Sequence, residues 1–246
     1  MRKFGLIGYP LSHSFSKKYF TQKFEVEGII DCEYDLYPIE EIRLLTDVLL
    51  DPHVEGLNVT IPYKLDVLSF LSEIDEAARA IGAVNCISIQ GKGSHRILKG
   101  YNTDAYGFEE SLKPLLEASH NMALILGDGG AAKAVKYVLG RLNIPYLIVT
   151  RTPSDHSILY EELTEDILQK YTLIINTTPL GMSPNVVSSP DIPYQYLTPN
   201  HLVYDLVYNP EETTFLNKAR VHEATIKNGL EMLYLQAERS WYHWNK

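Results

Sequence analysis

The sequence predicts an α/β protein of two domains, in which a mixed sheet comes first and a parallel sheet second. Short apolar runs alternate with helical patterns from the first residues onward, which is typical of α/β folds. Residues 123–134, ALILGDGGAAKA, have the pattern of a buried strand, a glycine-rich turn and a helix. A second apolar run at residues 146–149 completes the strand, helix and strand of one parallel unit.

The first domain is predicted over residues 1–103. Pro62 suits the first turn of a helix, and the Lys-Gly-Ser sequence at 92–94 suits the turn of a hairpin. We expect strands at 4–7, 33–37 and 57–59, and helices at 16–27, 42–50, 63–71 and 75–81.

The second domain is predicted over residues 104–227, after a hinge at 101–104. Apolar runs at 173–176 and 202–205 continue its parallel sheet, which makes this half Rossmann-like. A final helix, with apolar and aromatic residues at helical spacing over 232–244, returns to the first domain over 228–246. We also expect a helix at 105–116 and a long loop at 183–199.

Composition argues against several classes of function. The formal net charge of −9 provides no basic surface for nucleic acid, and no run of apolar residues is long enough for a membrane span or a signal peptide. Two cysteines, Cys32 and Cys86, are too few for a disulfide framework or a cysteine metal site. We therefore expect a cytoplasmic protein with a small-molecule ligand and no metal, either a monomer or a homodimer.

The glycine-rich turn predicts a phosphate site. Gly127, Gly129 and Gly130 allow backbone N–H groups to approach a pyrophosphate, and the following helix directs its positive end at the same anion. The next strand ends at Thr150, Arg151 and Thr152 rather than at an acidic residue, which favours a 2′-phosphate and hence NADP. The alternatives are a turn that merely connects two elements and a solvated arginine.

Polar residues cluster at four strand ends in the first domain. Ser12 and Ser14 can bind a carboxylate, although a serine here also suits a helix cap. Asn58 and Thr60 share a strand face, and Asn85 begins another strand. The fourth cluster, residues 102–104, is Asn-Thr-Asp just before a helix.

Lys64 and Asp104 are the acid and base candidates within these clusters. Lys64 falls in the first turn of the predicted helix, where its charge opposes the helix dipole, and Asp104 is placed to cap a helix. A solvated lysine and a capping aspartate are the simpler interpretations. Together the two side chains can move a proton to or from an alcohol oxygen, which with a dinucleotide in the other domain indicates a metal-free alcohol dehydrogenase.

Taken in order, these motifs resemble the shikimate dehydrogenase family over almost the whole chain. The resemblance is carried by GYPLSHSFS, NVTIPYK, GAVN, NTD, GDGGAAKA, TRT, NTTPLGM, YNPEETTFL and GLEMLYLQAERSWYHW. It implies a two-domain enzyme that reduces 3-dehydroshikimate to shikimate with NADPH, on the pathway to chorismate and the aromatic amino acids.

The resemblance also implies roles for individual residues. Lys64 and Asp104 would be catalytic. The substrate would be bound by Ser12, Ser14, Asn58, Thr60, Lys64, Asn85, Asp104, Tyr208 and Gln236. The cofactor would be bound by Gly127, Gly129, Gly130, Ala131, Thr150, Arg151, Thr152, Asn176, Gly229 and Met232. Simpler interpretations remain for Tyr208, as turn packing, and for Gln236, as a residue on the helix surface.

The chain departs from the usual family pattern in three places. Asp128 stands in the glycine turn where a small residue is common, and Asp155 stands where many members have a second basic residue. Many relatives add a closing helix beyond the position of Lys246, so we expect a less well covered substrate domain. An NAD-using quinate/shikimate dehydrogenase, a non-catalytic shikimate-binding sensor and a methylenetetrahydrofolate dehydrogenase are the competing hypotheses.

Overall fold

A computed structural model describes residues 1–11, 14–91, 95–152 and 154–246. The chain forms two compact units, each with one six-stranded sheet. Unit 1 contains Met1–Thr103 and Ala237–Lys246, and unit 2 contains Asp104–Gln236. The predicted second domain ended at residue 227, whereas the first part of the C-terminal helix belongs to unit 2 in the structure.

The sheet of unit 1 is mixed, as predicted. Its strand order is β2-β1-β3-β5-β6-β4, in which β5 is antiparallel to its neighbours β3 and β6 and the remaining pairs are parallel. The strands are β1 (Arg2–Gly8), β2 (Cys32–Pro38), β3 (Val54–Val59), β4 (Glu73–Ile74), β5 (Cys86–Gln90) and β6 (Ile97–Tyr101). The predicted hairpin turn at 92–94 lies outside the described residues. The strands on either side of it, β5 and β6, pair antiparallel, as the two strands of a hairpin do.

Short helices cover both faces of this sheet. They are α1 (Phe15–Val26), α2 (Leu45–Val48) and α3 (Glu76–Ile81). Two predicted helices are wrong in type or length: residues 42–50 form a 3-10 turn, Ile42–Leu44, followed by the four-residue α2, and residues 63–71 form turns and a 3-10 helix, Asp66–Phe70.

Strand β1 separates two apolar clusters in unit 1. Ile7 packs in a cluster of aliphatic residues, while Phe4 and Leu6 belong to an aromatic cluster on the other side. Trp244 stacks on Phe4 at 4.9 Å between ring centroids, and its indole N–H donates to the Ile87 carbonyl at 3.0 Å. Since a Cβ at Gly56 would overlap the Trp244 ring, this close packing requires glycine there.

The sheet of unit 2 is entirely parallel, as predicted. Its order is β12-β11-β10-β7-β8-β9. The strands are β7 (Ala123–Leu126), β8 (Tyr146–Thr150), β9 (Ser157–Leu159), β10 (Leu173–Asn176), β11 (Leu202–Asp205) and β12 (Thr225–Lys227). Because these strands are parallel, the carboxyl ends of β7, β8, β10 and β11 share one edge, where α/β proteins place ligands.

The helices of unit 2 include two that the sequence reading missed, α6 and α7. Over the described residues, the helices are α4 (Thr103–Leu112), α5 (Gly130–Arg141), α6 (Glu165–Lys170), α7 (Thr214–Val221) and α8 (Leu230–Trp244). Helix α4 starts at the last residue of unit 1, and α8 ends in unit 1. Strands β7, β10 and β11 are buried along their whole length, which explains why their sequences are unbroken apolar runs.

Candidate active site

The glycine-rich turn lies between β7 and α5. Gly127 has φ +95°, a conformation that favours glycine, and its N–H donates to the Val149 carbonyl at 2.8 Å. Gly129 is the N-cap of α5, and a Cβ added at Gly129 or Gly130 would meet no atom within 4 Å. The exposed first turn, which includes Ala131, therefore leaves room for an anion at the helix N-terminus.

Asp128 in this turn is paired with a lysine of the next helix. Its Oδ1 lies 2.6 Å from the Nζ of Lys136. The two charges offset each other, so the ion pair reduces the repulsion that Asp128 would exert on a phosphate bound at the turn.

A cavity of about 390 Å³ lies beside the end of β8. Arg151 and Thr150, two of the residues that the sequence assigns to a 2′-phosphate, line it, and that role stays a prediction. The Thr150 hydroxyl bonds to the Thr152 carbonyl and to the Ser157 hydroxyl, both at 2.7 Å, and so folds the following loop back on the strand. The cavity is lined by Thr150, Arg151, Leu159, Tyr160, Glu161, Leu180, Ser189 and Asp191.

Two carboxylates share this cavity with Arg151. Glu161 and Asp191 are exposed and line the same space, and sequence reasoning missed both because they lie well beyond the β8 motif. Burial raises the pKa of Tyr160 to about 12, and the nearby Arg151 guanidinium acts in the opposite direction. The site therefore contains one guanidinium, which attracts a phosphate, and two carboxylates, which repel it.

Asn176 and Asp205 meet at the ends of β10 and β11. Both side chains are fully buried, and the Asn176 amide donates to Asp205 Oδ1 at 2.9 Å. Asn176 Oδ1 in turn accepts from the backbone N–H and the hydroxyl of Thr178, at 3.0 and 2.7 Å. The predicted cofactor residue Asn176 thus also fixes the loop that follows β10.

Asp205 is a functional candidate that the sequence reading did not identify. It accepts from the Val207 N–H at 3.0 Å and from the Thr213 hydroxyl at 2.6 Å, in addition to the Asn176 amide. Burial raises its pKa to about 6, against the lowering effect of these three hydrogen bonds. The sequence feature that could have identified Asp205 is its position as a charged residue at the end of the apolar strand β11.

Helix α8 and the residue before it carry three predicted site residues, Gly229, Met232 and Gln236, in close contact with other parts of unit 2. A Cβ at Gly229 would overlap the Leu206 carbonyl, and one at Gly107 in α4 would overlap the Met232 carbonyl. Gln236 is buried, so the interpretation as a residue on the helix surface is wrong. The half-buried Tyr208 has its pKa raised by burial.

In unit 1, the segments that follow β1 and β3 run side by side. The Thr60 N–H donates to the Ile7 carbonyl at 3.0 Å, and the Tyr9 N–H donates to the Ile61 carbonyl at 3.1 Å. This pairing places Thr60 next to the loop that leads to the predicted serine pair. The contact is close, since a Cβ at Gly8 would overlap the Thr60 methyl group.

The serine pair is described only in part. Ser12 lies outside the described residues. Ser14 is the N-cap of α1, and its Oγ accepts from the Lys17 N–H at 3.5 Å. Ser14 therefore caps helix α1, as the alternative interpretation of its position predicted. Its binding of a carboxylate stays a prediction.

The local settings of Lys64 and Asp104 differ from those expected. Half-buried Lys64 lies in a turn, not in the first turn of a helix, and its carbonyl accepts from the Val84 N–H at 2.8 Å. The argument from the helix dipole for Lys64 was therefore wrong. Asp104 is the second residue of α4, so it is not the cap of that helix.

Asn58 and Asn85 are buried in unit 1 and contact each other. The Asn58 amide donates to the Asn85 carbonyl at 3.3 Å. Asn85 Oδ1 accepts from the Thr103 N–H at 2.6 Å, and its amide donates to the Thr103 hydroxyl at 3.0 Å. Two predicted substrate residues are thus connected to the residue that precedes Asp104.

The described parts of the chain contain no group of three or more histidine, cysteine, aspartate or glutamate side chains placed to hold a metal. Over the same parts, no helix combines the length and the apolar character needed to cross a bilayer.

Comparison with known proteins gives matches over nearly the full chain. A family profile described as shikimate dehydrogenase substrate binding domain matches residues 6–87. A curated protein from Desulforamulus reducens, named shikimate dehydrogenase (NADP(+)), is 35% identical and aligns with 98% of this chain and 88% of its own length.

Two solved structures show the same fold with different ligands. The shikimate 5-dehydrogenase of Thermus thermophilus, in complex with NADP(H) and shikimate, is 29% identical with a TM-score of 0.84, covering 99% of this chain and 93% of that chain. The quinate dehydrogenase of Corynebacterium glutamicum, in complex with NAD, is 26% identical with a TM-score of 0.87 and the same coverage.

Proposed function

Since this chain belongs to the shikimate dehydrogenase family, we propose that it catalyses the reversible, NADPH-dependent reduction of 3-dehydroshikimate to shikimate. This activity belongs to the pathway toward chorismate and the aromatic amino acids. The main support for the proposal is that one parallel-sheet unit contains both an open glycine turn and a cavity lined by Arg151. In addition, a curated protein named shikimate dehydrogenase (NADP(+)) aligns with 98% of this chain.

The residues of unit 2 fit a dinucleotide phosphate. The open space over Gly129 and Gly130 admits a pyrophosphate, and the cavity at Arg151 admits a phosphorylated ribose. When bound, NADP supplies the group that accepts or donates the hydride. We propose that it is held by Gly127, Gly129, Gly130, Ala131, Thr150, Arg151, Thr152, Asn176, Gly229 and Met232.

We further propose that Lys64 and Asp104 handle the proton. As the ketone is reduced, negative charge develops on the C3 oxygen, so an ammonium within hydrogen-bonding reach stabilises that oxygen and can supply the proton. Asp104 would orient Lys64 and the substrate hydroxyl. The other proposed substrate residues are Ser12 and Ser14 for the carboxylate and Asn58, Thr60, Asn85, Tyr208 and Gln236 for the ring hydroxyls.

The proposal includes NADP as the cofactor and shikimate as the preferred alcohol. A fold shared with an NAD-bound quinate dehydrogenase does not discriminate between these ligands. The curated relative that is 35% identical has NADP(+) in its name, and no acidic residue ends β8, which both favour NADP. A monomer or homodimer in the cytoplasm is the proposed state.

Initial rates with shikimate or quinate, each with NADP or NAD, test this function. We expect oxidation of shikimate with NADP to have a much higher kcat/KM than oxidation of quinate, because the extra C1 hydroxyl of quinate must fit beside the serine pair. Equal kcat/KM values for the two alcohols, or no turnover of shikimate at all, would overturn the proposal.

A further inference from the structure

A buried polar network connects three of the four predicted substrate clusters of unit 1. The Tyr34 hydroxyl, on β2, donates to Asn58 Oδ1 at 2.8 Å. The Asn58 amide donates to the Ser240 hydroxyl, on α8, at 2.9 Å, and the Ser240 hydroxyl lies 3.2 Å from that of Thr103. Thr103 is bonded in turn to Asn85.

The start of α1 lies beside this network. Burial raises the pKa of the Tyr34 hydroxyl, and the Ser16 side chain acts in the opposite direction. Ser16 stands two residues after Ser14, in the first turn of α1. Tyr34 is therefore next to the serine segment, and it donates to Asn58.

These polar groups lie within an apolar environment. Tyr34 stacks on Phe20 at 4.6 Å, and both belong to the cluster that contains Cys86, Tyr101 and Trp244. Ser240 is 0% exposed, Thr103 1% and Asn58 5%. A buried polar group costs free energy unless its hydrogen bonds are made, so the network has only a narrow range of permitted geometries.

Resting on the proposed function, we propose that Tyr34 and Ser240 are positioning residues for substrate binding, and that both act through Asn58. Three proposed substrate clusters contain, or directly adjoin, a member of the network: Thr60 through Asn58, Asn85 itself, and Asp104 through Thr103. The Asn58 amide donates two hydrogen bonds and its side-chain oxygen accepts one, which leaves one lone pair of that oxygen for a ring hydroxyl. The network thus fixes Asn58 itself, together with Asn85 and the start of α4.

The test uses Tyr34→Phe and Ser240→Ala, with Tyr204→Phe and Ser111→Ala as matched controls. Tyr204 and Ser111 form a comparable pair in unit 2, buried and joined by a hydroxyl contact of 2.7 Å, and neither is proposed to bind substrate. All four variants should lower the melting temperature, since each leaves a buried polar group without its partner.

Only the network variants should change substrate binding. We expect Tyr34→Phe and Ser240→Ala each to raise the KM for shikimate about tenfold, from the usual effect of a lost buried hydrogen bond, and to leave the KM for NADP within about twofold. The double variant should raise the shikimate KM by less than the product of the single effects, because both act through Asn58. The controls should keep the shikimate KM within about twofold.

The outcomes separate this inference from the proposed function. If the unmodified protein does not oxidise shikimate, the proposed function fails. If it does, and the network variants lose thermal stability while the shikimate KM stays unchanged, the network is only structural and the positioning role is overturned. Equal KM shifts in network and control variants would overturn it as well.

Discussion

Arg151 shares its cavity with two carboxylates, so the balance of charge there affects how strongly a 2′-phosphate is bound. Replacing Arg151 with alanine should raise the KM for NADP roughly ten- to a hundredfold, the effect of losing a charge-assisted hydrogen bond. The KM for NAD should stay nearly unchanged, because its ribose has no 2′-phosphate. Steady-state kinetics with both cofactors measure this, and an equal loss for NAD would mean that Arg151 has a structural role only.

Glu161 and Asp191 are expected to act in the opposite direction to Arg151. Glu161→Gln and Asp191→Asn should each lower the KM for NADP about two- to fivefold, a small effect because both carboxylates are exposed and screened by solvent. The KM for NAD should not change. Glu25→Gln, on the exposed face of α1, makes the same change in net charge and serves as the control. A similar gain in the control would show that only overall charge matters.

Helix α8 depends on a close contact of two backbones at Gly107. A methyl group there would overlap the Met232 carbonyl and lie 3.1 Å from the Gln236 nitrogen, and neither atom is on a flexible side chain. Gly107→Ala should therefore destabilise the protein by about 1–3 kcal/mol. Gly140→Ala, in α5, is the control: no atom lies within 4 Å of its added Cβ, so it should stabilise by up to about 1 kcal/mol. Urea unfolding measures both, and equal effects would contradict the close contact.

The ends of strands β10 and β11 are connected by the hydrogen bond between Asn176 and Asp205. The raised pKa of the Asp205 carboxyl makes protein stability depend on pH. Burial raises its pKa from 3.8 to about 6, so the folded state binds this proton more tightly than the unfolded state does. The stability contributed by this group is then highest below about pH 4 and falls as the pH rises through about 6. A change of this size corresponds to about 3 kcal/mol.

Asp205→Asn removes this titration and isolates it from the other groups. The free energy of unfolding of the unmodified protein, relative to the variant, should decrease by about 2 kcal/mol between pH 4 and pH 7, which is most of the total change. Urea unfolding at several pH values measures the difference. A difference that stays constant with pH would show that Asp205 is not the group that titrates.

At the scale of the whole molecule, the fold was predictable where burial dominates the sequence. Strands β10 and β11 have the predicted bounds, because every residue in them is buried and the run is apolar throughout. Strands β4, β9 and β12 were missed, since each has only two or three residues. The helix predicted at 63–71 failed because Tyr63 closes a turn onto the Thr60 carbonyl instead.

The sequence singles out candidate site residues where they stand at strand ends, and their roles stay predictions. Asn58, Asn85 and Arg151 could be singled out because a polar residue follows or ends an apolar run. Their partners could not: Tyr34 and Ser240 are single polar residues in aromatic segments, and they reach Asn58 across 24 and 182 residues of sequence. These hydrogen bonds depend on the order of the strands in the sheet and on the position of the end of α8 in unit 1. Neither can be deduced from the spacing of residues within a short segment of sequence.

Proton transfer is proposed to depend on Lys64 and Asp104, which lie in motifs from separate parts of the chain. Lys64→Ala should lower kcat by about 10²–10⁴ with little change in the substrate KM, because general acid–base groups act mainly in the transition state. Asp104→Asn should lower kcat and also raise the substrate KM, since the carboxylate is proposed to accept a ring hydroxyl. If the two residues act as a unit, the double variant loses far less than the product of the single effects. Fully multiplicative losses would mean that they act independently, and near-normal turnover by Lys64→Ala would remove Lys64 from the mechanism.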